Sequence, residues 1–294
     1  MKISTDFFYR TSSNQMTSQQ SKVSTLQAKL GTGTQILNPS DDTGKSVVIS
    51  RLESAKAKQA TYLQNVETAQ TRLTLEEASM ESMTKVMQRI TELNIRAASD
   101  TASLMDRQII ANEVSALRDE LLKMLNTQDI NGDYIFSGAK VSTPAFTLGP
   151  TGDVEYTGDQ SLVNVNVSEV RTIQINTLGS DLFKSTDFAE LDSLITNLEL
   201  GNGAEIRKSL GAVNTITDKL TIAFGNMAGR ATAVESQRQA IEDVDLRLQQ
   251  VLSSEKDLDY ASAVTELTKE TVALQALQAS FSKVAQLSLF NYIR

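Results

Sequence analysis

The sequence predicts a mainly α fold with a small β insertion (α+β), organised as a long helical bundle whose N- and C-terminal helices pair as a coiled coil. No glycine or proline occurs from Lys45 to Asn131, a stretch of 87 residues, or from Arg230 to Arg294, a stretch of 65 residues. Because these two residue types interrupt helices, each stretch is predicted to be helical. Pro144, Pro150 and a cluster of glycines lie between the two stretches, where shorter elements are expected.

The two ends of the chain each carry one apolar stripe with helical spacing. Near the N-terminus the stripe comprises Met16, Val23, Leu26 and Leu30. Near the C-terminus it comprises Val264, Leu267, Leu274, Leu277, Phe281, Val284 and Leu287. A lone amphipathic helix cannot bury such a stripe, so the two ends are predicted to pair with each other. We refer to these residues together as the assembly seam.

The stretch NPSDDTGKS, residues 38–46, ends in the last three letters of a nucleotide-binding loop. Such a loop needs the pattern G-x-x-x-x-G-K-[ST] after a buried strand. Here Pro39 occupies the position of the first glycine, and a heptad-patterned helix and a turn precede it. Asp41 and Asp42 would also place carboxylates where a phosphate should bind. The stretch therefore argues against nucleotide binding.

The same stretch instead predicts the start of a long helix. Asn38 and Pro39 form the turn before the helix, because a residue that precedes proline disfavours the helical conformation. Ser40, Asp41 or Asp42 is the predicted cap, since an oxygen acceptor there satisfies the free N–H groups of the first helical turn.

Two heptad positions are apolar along the helix that follows. The first is occupied by Leu52, Val66, Leu73, Met80 and Met87, and the second by Ala55, Tyr62, Ala69, Met83, Ile90 and Ala97. Gln59 and Glu76 interrupt these stripes. A period of 3.5 residues over this length predicts a helix packed lengthwise against others. The pattern breaks at residues 99–103, and a shorter helix then carries Ile110, Val114, Leu117, Leu121 and Met124 on one face.

The middle of the chain has a different pattern. The runs DYIFSG, AFTLG, DVEYTG, SLVNVNV and RTIQINT are short, and turn-forming residues separate them, so they predict a β-rich insertion. The segment DINGDY, residues 129–134, resembles a calcium loop, but Tyr134 and Lys140 occupy the positions that need Gly and Glu, so a turn is predicted. Helix resumes near residues 187–198 and from about Ala204 onward, where Leu220, Met227, Val234, Ile241 and Leu248 repeat every seven residues.

These patterns predict three domains. Residues 1–40 and 256–294 form a terminal coiled-coil domain, residues 41–131 and 187–255 form a helical bundle domain, and residues 132–186 form a β-rich outer insertion. A chain that leaves and returns through matching helices is typical of a building block of a larger assembly.

Composition argues against several classes of function. The sequence has no Cys, which removes a cysteine nucleophile and zinc-thiolate sites, and no His, which removes the commonest general base and transition-metal ligand. No catalytic, cofactor or metal site is therefore expected, and the protein is predicted not to be an enzyme. A net charge of −8 argues against nucleic acid as a partner. No apolar run approaches the ~18 residues of a membrane span, so no membrane insertion is expected. The N-terminus lacks a leader pattern, which predicts either a cytoplasmic protein or export without a cleaved signal peptide.

Four stretches carry a family resemblance. They are MKIST at the start, GTGTQILNPSDDTGKSV at residues 31–47, NTQDINGDYIFSG at residues 126–138 and LQASFSKVAQLSLFNYI at residues 277–293. They resemble the bacterial flagellin superfamily, and within it the subunits of the hook–filament junction. The resemblance covers the chain in outline, because it includes both ends and the centre. The Thr-Gly-Lys-Ser after Asp42 departs from the superfamily, in which small apolar residues or Pro are commoner there.

The resemblance implies a structural subunit that joins the flagellar hook to the filament by ring assembly through its terminal helices, without catalysis. It implies an inner layer of terminal helices, a middle layer formed by the helical bundle and an insertion that faces outward. The implied partners are flagellin, a neighbouring hook-associated protein on the hook side, copies of the chain itself in a ring, and a cytoplasmic export chaperone that shields the C-terminal helix. The implied location is the extracellular flagellum.

Two other structural interpretations stay open. Flagellin, the filament subunit, shares the NPSDD turn but usually opens and closes with different sequences. A secreted coiled-coil effector or membrane translocator would share the missing leader and the long helices. It would normally carry a strongly apolar helix, which this sequence lacks.

Overall fold

The structure is a computed structural model that describes residues 2–150 and 152–292, with side chains described at residues 6–150 and 152–285. It confirms the mainly α fold with a small β insertion. The helices are α1 (Lys2–Thr32), α2 (Thr43–Ala97), α3 (Leu104–Leu125), α4 (Gly179–Leu182), α5 (Ser185–Leu200), α6 (Gly203–Lys256) and α7 (Tyr260–Tyr292). None of these helices has the length and apolar character to cross a membrane.

The chain forms two compact units. Unit 1 comprises Met1–Lys58 and Val244–Arg294, and unit 2 comprises Gln59–Asp243. Unit 1 therefore contains α1, α7, the start of α2 and the end of α6. Unit 2 contains the rest of the two long helices together with α3, α4, α5 and the insertion. The division into three domains stays a prediction.

The core of unit 2 is built on the apolar stripe of α2. From Val66 onward, the apolar residues at both heptad positions are buried. Tyr62, one turn earlier, is half-buried. The facing stripe of α6 is buried at Leu220, Met227, Val234 and Ile241. Burying each of the larger side chains contributes about 1.5–3 kcal/mol, so the two stripes stabilise the unit.

The connection between α2 and α3 lies where the heptad pattern breaks. Ser103 caps α3, because its hydroxyl accepts a hydrogen bond from the Asp106 amide (3.2 Å) while the Asp106 carboxylate accepts one from the Ser103 amide (3.1 Å). The Arg107 guanidinium donates to the carbonyl oxygens of Ala97 (3.1 Å) and Gly201 (2.8 Å). These bonds satisfy carbonyl groups at the ends of two helices.

The insertion consists of two separate hairpins. Strand β1 (Phe146–Leu148) pairs antiparallel with β2 (Val154–Tyr156), and β3 (Asn164–Asn166) pairs antiparallel with β4 (Thr172–Gln174). Four of the five predicted β runs thus contain a strand. The fifth, DYIFSG, makes only an isolated bridge between Gln128 and Tyr134. Its four residues 135–138 are all buried, a pattern that the alternating faces of a strand do not produce.

The segment DINGDY forms the predicted turn. The Asp129 carboxylate accepts hydrogen bonds from the amides of Asn131 (2.8 Å) and Asp133 (3.0 Å), and Gly132 takes the left-handed φ of 86° that the turn requires. Among the residues that the structure describes, no group of three or more acidic side chains is placed to hold a metal ion.

A buried carboxylate on α2 holds the insertion against the helices of unit 2. Glu76 is fully buried, and its two oxygens accept hydrogen bonds from the amide (3.1 Å) and the hydroxyl (2.7 Å) of Thr177, which follows β4. The Thr177 hydroxyl also accepts a bond from Arg230 on α6 (2.5 Å). Arg72 lies 3.8 Å from the same carboxylate and donates to the carbonyl oxygen of Ile135 (3.1 Å). Glu76, which interrupts the heptad stripe in the sequence, is therefore one of the residues that hold the insertion in place.

Burial raises the pKa of Glu76 from 4.5 to about 7, although the hydrogen bonds from Thr177 and the charges of Arg230 and Arg72 act in the opposite direction. The folded state consequently binds a proton more tightly than the unfolded chain does. The resulting contribution to stability is complete below the unfolded pKa and is lost as pH rises through about 7.

We therefore predict that Glu76→Gln flattens the pH dependence of stability. The free energy of unfolding of the wild type should fall by about 3 kcal/mol or less between pH 5 and pH 8. Because the sequence has no histidine, few other groups titrate in this window. Urea unfolding followed by circular dichroism at both pH values measures the change. Glu77→Gln, at the exposed neighbouring position, is the matched control; an equal slope for both variants would contradict the prediction.

Candidate functional site

The candidate site is the antiparallel pair formed by α1 and α7. Near one end of the pair, the rings of Tyr9 and Phe281 meet edge to face with centroids 5.4 Å apart. Further along, the Gln19 side-chain amide donates to the carbonyl oxygen of Glu270 (3.1 Å) and to the Glu270 carboxylate. Val23 on α1 and Leu274 on α7 are buried between the helices.

The contact between α1 and α7 follows a strict heptad on both helices. Its positions alternate in steps of three and four residues: Tyr9, Ser12, Met16, Gln19, Val23, Leu26 and Leu30 on α1, and Ala263, Leu267, Glu270, Leu274, Leu277 and Phe281 on α7. All of these residues are buried or half-buried. A heptad of this kind keeps one narrow stripe of each helix facing the other helix.

The structure places most of the predicted assembly seam in this heptad. Val23 and Leu274 are buried, and Met16, Leu26, Leu30, Leu267, Leu277 and Phe281 are half-buried. Val264 is 51% exposed, because its neighbour Ala263 occupies the seam position. Val284 is in register but remains 38% exposed. The side chain of Leu287 lies outside the described residues. The role of these residues in assembly stays a prediction.

Sequence reasoning missed the polar members of the seam. Gln19 occupies the heptad position between Met16 and Val23, and Glu270 occupies the one between Leu267 and Leu274. The detectable signal was the gap that each leaves in an otherwise regular apolar stripe. A polar pair inside a coiled-coil seam weakens the pair but fixes its register, because a slipped alignment would leave both groups without partners.

Both terminal helices break at the same level. Gly33 ends α1 with a left-handed φ of 72°, and the Tyr260 hydroxyl lies 2.8 Å from the point where a Cβ of residue 33 would be. The two connecting segments then form an antiparallel bridge between Thr34 and Asp257. The amide of Leu258 donates to the Gly33 carbonyl oxygen (2.9 Å). The two connections are thus held together directly below the helix pair.

The start of α2 uses one of the three predicted caps. The Asp42 carboxylate accepts a hydrogen bond from the Lys45 amide (2.9 Å) in the first turn of the helix. Asp41 instead stabilises the preceding turn, because its carboxylate accepts bonds from the amides of Asn38 (2.9 Å) and Leu37 (3.2 Å). The Lys45 ammonium donates to the side-chain oxygen of Gln35 (3.0 Å). Ser40 and Pro39 are exposed in the turn.

This geometry does not resemble a phosphate cradle. A helix and a turn precede residues 38–46, where a P-loop would require a strand. The Asp42 carboxylate accepts the hydrogen bond of the Lys45 amide, one of the free N–H groups at the start of α2 that a bound phosphate would need.

The chain is similar to known flagellar proteins. The family described as the bacterial flagellin N-terminal helical region matches residues 3–141. Flagellar hook-associated protein 3 of Salmonella typhimurium is 27% identical over 100% of this chain and 100% of that protein. Flagellin B of Vibrio anguillarum is 24% identical over 90% of this chain and 92% of that protein. The solved structure of a flagellar hook-associated protein from Vibrio parahaemolyticus has a similar fold, with a TM-score of 0.69 at 22% identity over 74% of this chain and 100% of that one.

We predict that Asp42→Ala destabilises the start of α2 by ~1 kcal/mol, since it removes the acceptor for the Lys45 amide. Thermal unfolding followed by circular dichroism measures the loss. Ser40→Ala, two residues earlier in the exposed turn, is the control and should leave the melting temperature unchanged. If the two variants melt alike, Asp42 is not the cap.

We also predict that replacing both Gln19 and Glu270 by Leu raises the melting temperature of the helix pair but relaxes its register. Met16 and Leu274 line one groove, so cysteines at these two positions report the native register. Cysteines at Met16 and Leu267 report a slip of one heptad. The native chain contains no cysteine, so only the introduced pairs can form disulfides.

With Gln19 and Glu270 present, only the first pair of cysteines should cross-link. In the double Leu variant, both pairs should cross-link. Leu substitutions at the adjacent exposed residues Gln20 and Lys269 serve as the matched control. A double Leu variant that keeps a single register would show that the polar pair does not set it.

Proposed function

We propose that this chain, which aligns with flagellar hook-associated protein 3 over the whole of both sequences, joins the hook to the filament by ring assembly through its terminal helices. It is a structural component of the flagellum and not an enzyme. The paired terminal helices are the observation that carries the mode of assembly.

The helix pair supports this mode of assembly because few of its side chains are buried. Among the side chains of α1 and α7 that the structure describes, only those of Val23, Ala263 and Leu274 are buried. Ordering the backbone of each residue costs roughly 1–2 kcal/mol, and burying one of these larger side chains returns about 1.5–3 kcal/mol. Two helices of 31 and 33 residues are therefore marginal as an isolated pair. Neighbouring copies in a ring would supply the missing burial.

Apolar side chains remain on the outside of the pair. Phe7 is 69% exposed, and Val272 and Val264 are each more than half exposed. A neighbouring helix pair that covered these residues would remove their apolar surface from water. Exposed apolar residues on a marginal element are typical of a segment that completes its packing in an assembly.

The partners that the family resemblance implies are part of this proposal. Flagellin would bind on the filament side, a neighbouring hook-associated protein on the hook side, and copies of the chain within the ring. A cytoplasmic export chaperone would cover the apolar residues of α7 before export. The protein would reach the outside of the cell without a cleaved signal peptide. The external flagellum is the location that its relatives support.

The alternative function is that of flagellin, the bulk filament subunit. Sequence similarity to Flagellin B keeps this alternative in view. The full-length match to hook-associated protein 3, together with the runs DYIFSG and LSLFNYI, favours the junction. Electron microscopy of a deletion strain separates the two functions. Deletion of a junction subunit should leave hooks without filaments and release flagellin into the medium.

We predict that deleting residues 270–294 leaves the melting transition of unit 2 unchanged but abolishes filament retention on the hook. The deletion removes Leu274, Leu277 and Phe281 from the seam, whereas the core of unit 2 lies elsewhere in the chain. Calorimetry of the purified variant and electron microscopy of cells provide the two measurements.

Point substitutions give a matched pair for the same test. Leu274→Glu places a charge in the buried seam, and Gln275→Glu places one at the exposed neighbouring position. Only the first should release filaments. A truncated chain that still holds filaments would show that α7 is not required for assembly.

A further inference from the structure

The sequence contains two Asn-Gly pairs, Asn131-Gly132 and Asn202-Gly203. In such a pair the main-chain nitrogen of the glycine can attack the side-chain carbonyl carbon of the asparagine, because glycine has no Cβ to hinder the approach. The carbon–nitrogen bond of the side-chain amide then breaks, ammonia leaves with the glycine proton, and a succinimide ring remains. Water opens this ring to aspartate or isoaspartate. Both pairs are reactive by local sequence, so only the structure can distinguish them.

The turn at residues 129–134 holds both reacting groups of Asn131-Gly132. The Gly132 amide donates to the Asp129 carbonyl oxygen (3.0 Å), so its nitrogen is not free to lose a proton and attack. The Asn131 amide donates to the Asp129 carboxylate (2.8 Å), and the Asn131 side-chain nitrogen lies 3.5 Å from the other oxygen of that carboxylate. Asn131 and Gly132 are both exposed, so hydrogen bonds and not burial protect this pair.

The second pair lacks these restraints. Asn202 is exposed between α5 and α6, and Gly203 is the first residue of α6. The first N–H groups of a helix have no carbonyl partner within the helix, and in the part of the chain that the structure describes the Gly203 amide donates no other main-chain hydrogen bond. The Asn202 side-chain oxygen accepts a bond from the Glu205 amide, but its length of 3.5 Å makes it weak. The attacking nitrogen is therefore free, and the side chain is loosely held.

The surroundings of Gly203 favour the negative charge that develops during the attack. A Cβ at residue 203 would lie 3.3 Å from Nη2 of Arg107, which places the guanidinium beside the reacting main chain. The N-terminus of α6 adds the partial positive charge of the helix dipole. The Glu205 carboxylate in the same turn is paired with Lys208 (3.5 Å). Positive charge placed where negative charge develops lowers the barrier of a reaction.

We propose that Asn202 is a site of spontaneous deamidation in the folded protein and that the turn protects Asn131. The reaction needs only water, and it replaces a neutral amide by a carboxylate. Isoaspartate also adds one methylene group to the main chain, at the turn whose Gly201 carbonyl oxygen accepts a hydrogen bond from Arg107 (2.8 Å). Arg107 binds the Ala97 carbonyl oxygen as well, so the modification acts where α2, α5 and α6 meet. The reaction takes place in the single chain and does not depend on the proposed ring.

Peptide mapping by mass spectrometry measures both sites in one sample. The purified full-length protein is incubated in mildly alkaline buffer at physiological temperature, and aliquots are digested with trypsin over time. Deamidation raises the mass of a peptide, and fragmentation by electron transfer distinguishes isoaspartate from aspartate. The two sites fall in different peptides, because Lys140 and Lys184 separate them. A second sample is incubated in urea, where the chain is unfolded.

In the folded protein Asn202 should deamidate several-fold faster than Asn131, whereas in urea the two rates should be similar. The difference between the two samples is then the contribution of the structure. A folded protein in which Asn202 reacts no faster than Asn131 would overturn the proposal. So would a folded protein in which Asn202 does not react although it reacts in urea, since α6 would then protect it.

Matched variants test the cause of the difference. Gly203→Ala should suppress the reaction at Asn202, because a Cβ hinders the attack, and the flexible end of Arg107 can move aside for it. Asp129→Ala should accelerate the reaction at Asn131 several-fold by releasing the turn, without changing the rate at Asn202. An unchanged rate at Asn131 in this variant would show that the turn does not protect it.

The melting temperature tests the consequence for this end of unit 2. Asn202→Asp should keep the melting temperature of the wild type, because aspartate is a favourable residue before a helix. Protein aged until isoaspartate accumulates at residue 202 should melt at a lower temperature, because the longer main chain disturbs the turn. Gly203→Ala, aged in the same way, is the control and should keep its original melting temperature. Equal losses in the aged wild type and the aged control would contradict a role of residue 202.

Discussion

The architecture depends on burying heptad stripes that no single helix can bury. In unit 2, the buried residues of α2 and α6 belong to one continuous core together with residues of α3, α5 and the insertion. In unit 1, the stripe of α1 meets that of α7, and few of the side chains described there are buried. Stability is thus concentrated in unit 2, and under the proposed function the incomplete packing of unit 1 would favour association with other subunits.

Polar residues inside these stripes determine which of several packings is adopted. Gln19 pairs with Glu270 in the terminal seam, and Asn94 on α2 is fully buried beside Ser209 on α6, with its amide 3.2 Å from the hydroxyl. Glu76 accepts two hydrogen bonds from Thr177 in the same way. Apolar stripes alone tolerate a slip of one heptad, whereas a slipped polar group would lose its hydrogen-bond partner. We therefore expect each polar residue to favour one alignment.

These features connect the fold to a role in an assembly. A subunit that is stable in one unit and incompletely packed in the other can fold its core alone and complete the rest against its neighbours. The bridge between Thr34 and Asp257 holds the two connections together below the terminal pair. As a result, α1 and α7 lie side by side, which the proposed ring of terminal helix pairs would require.

The sequence by itself determined the long helices, the pairing of the ends and the turn at residues 38–46, because periodicity and helix breakers are local properties of the chain. It could not choose among Ser40, Asp41 and Asp42, since the choice of Asp42 depends on the backbone path of the turn. It placed Val264 in the seam, where the structure places Ala263, because an alanine gives no apolar signal. It treated Glu76 as an interruption. Only the tertiary structure decided that role, because the partner, Thr177, lies 101 residues away in sequence.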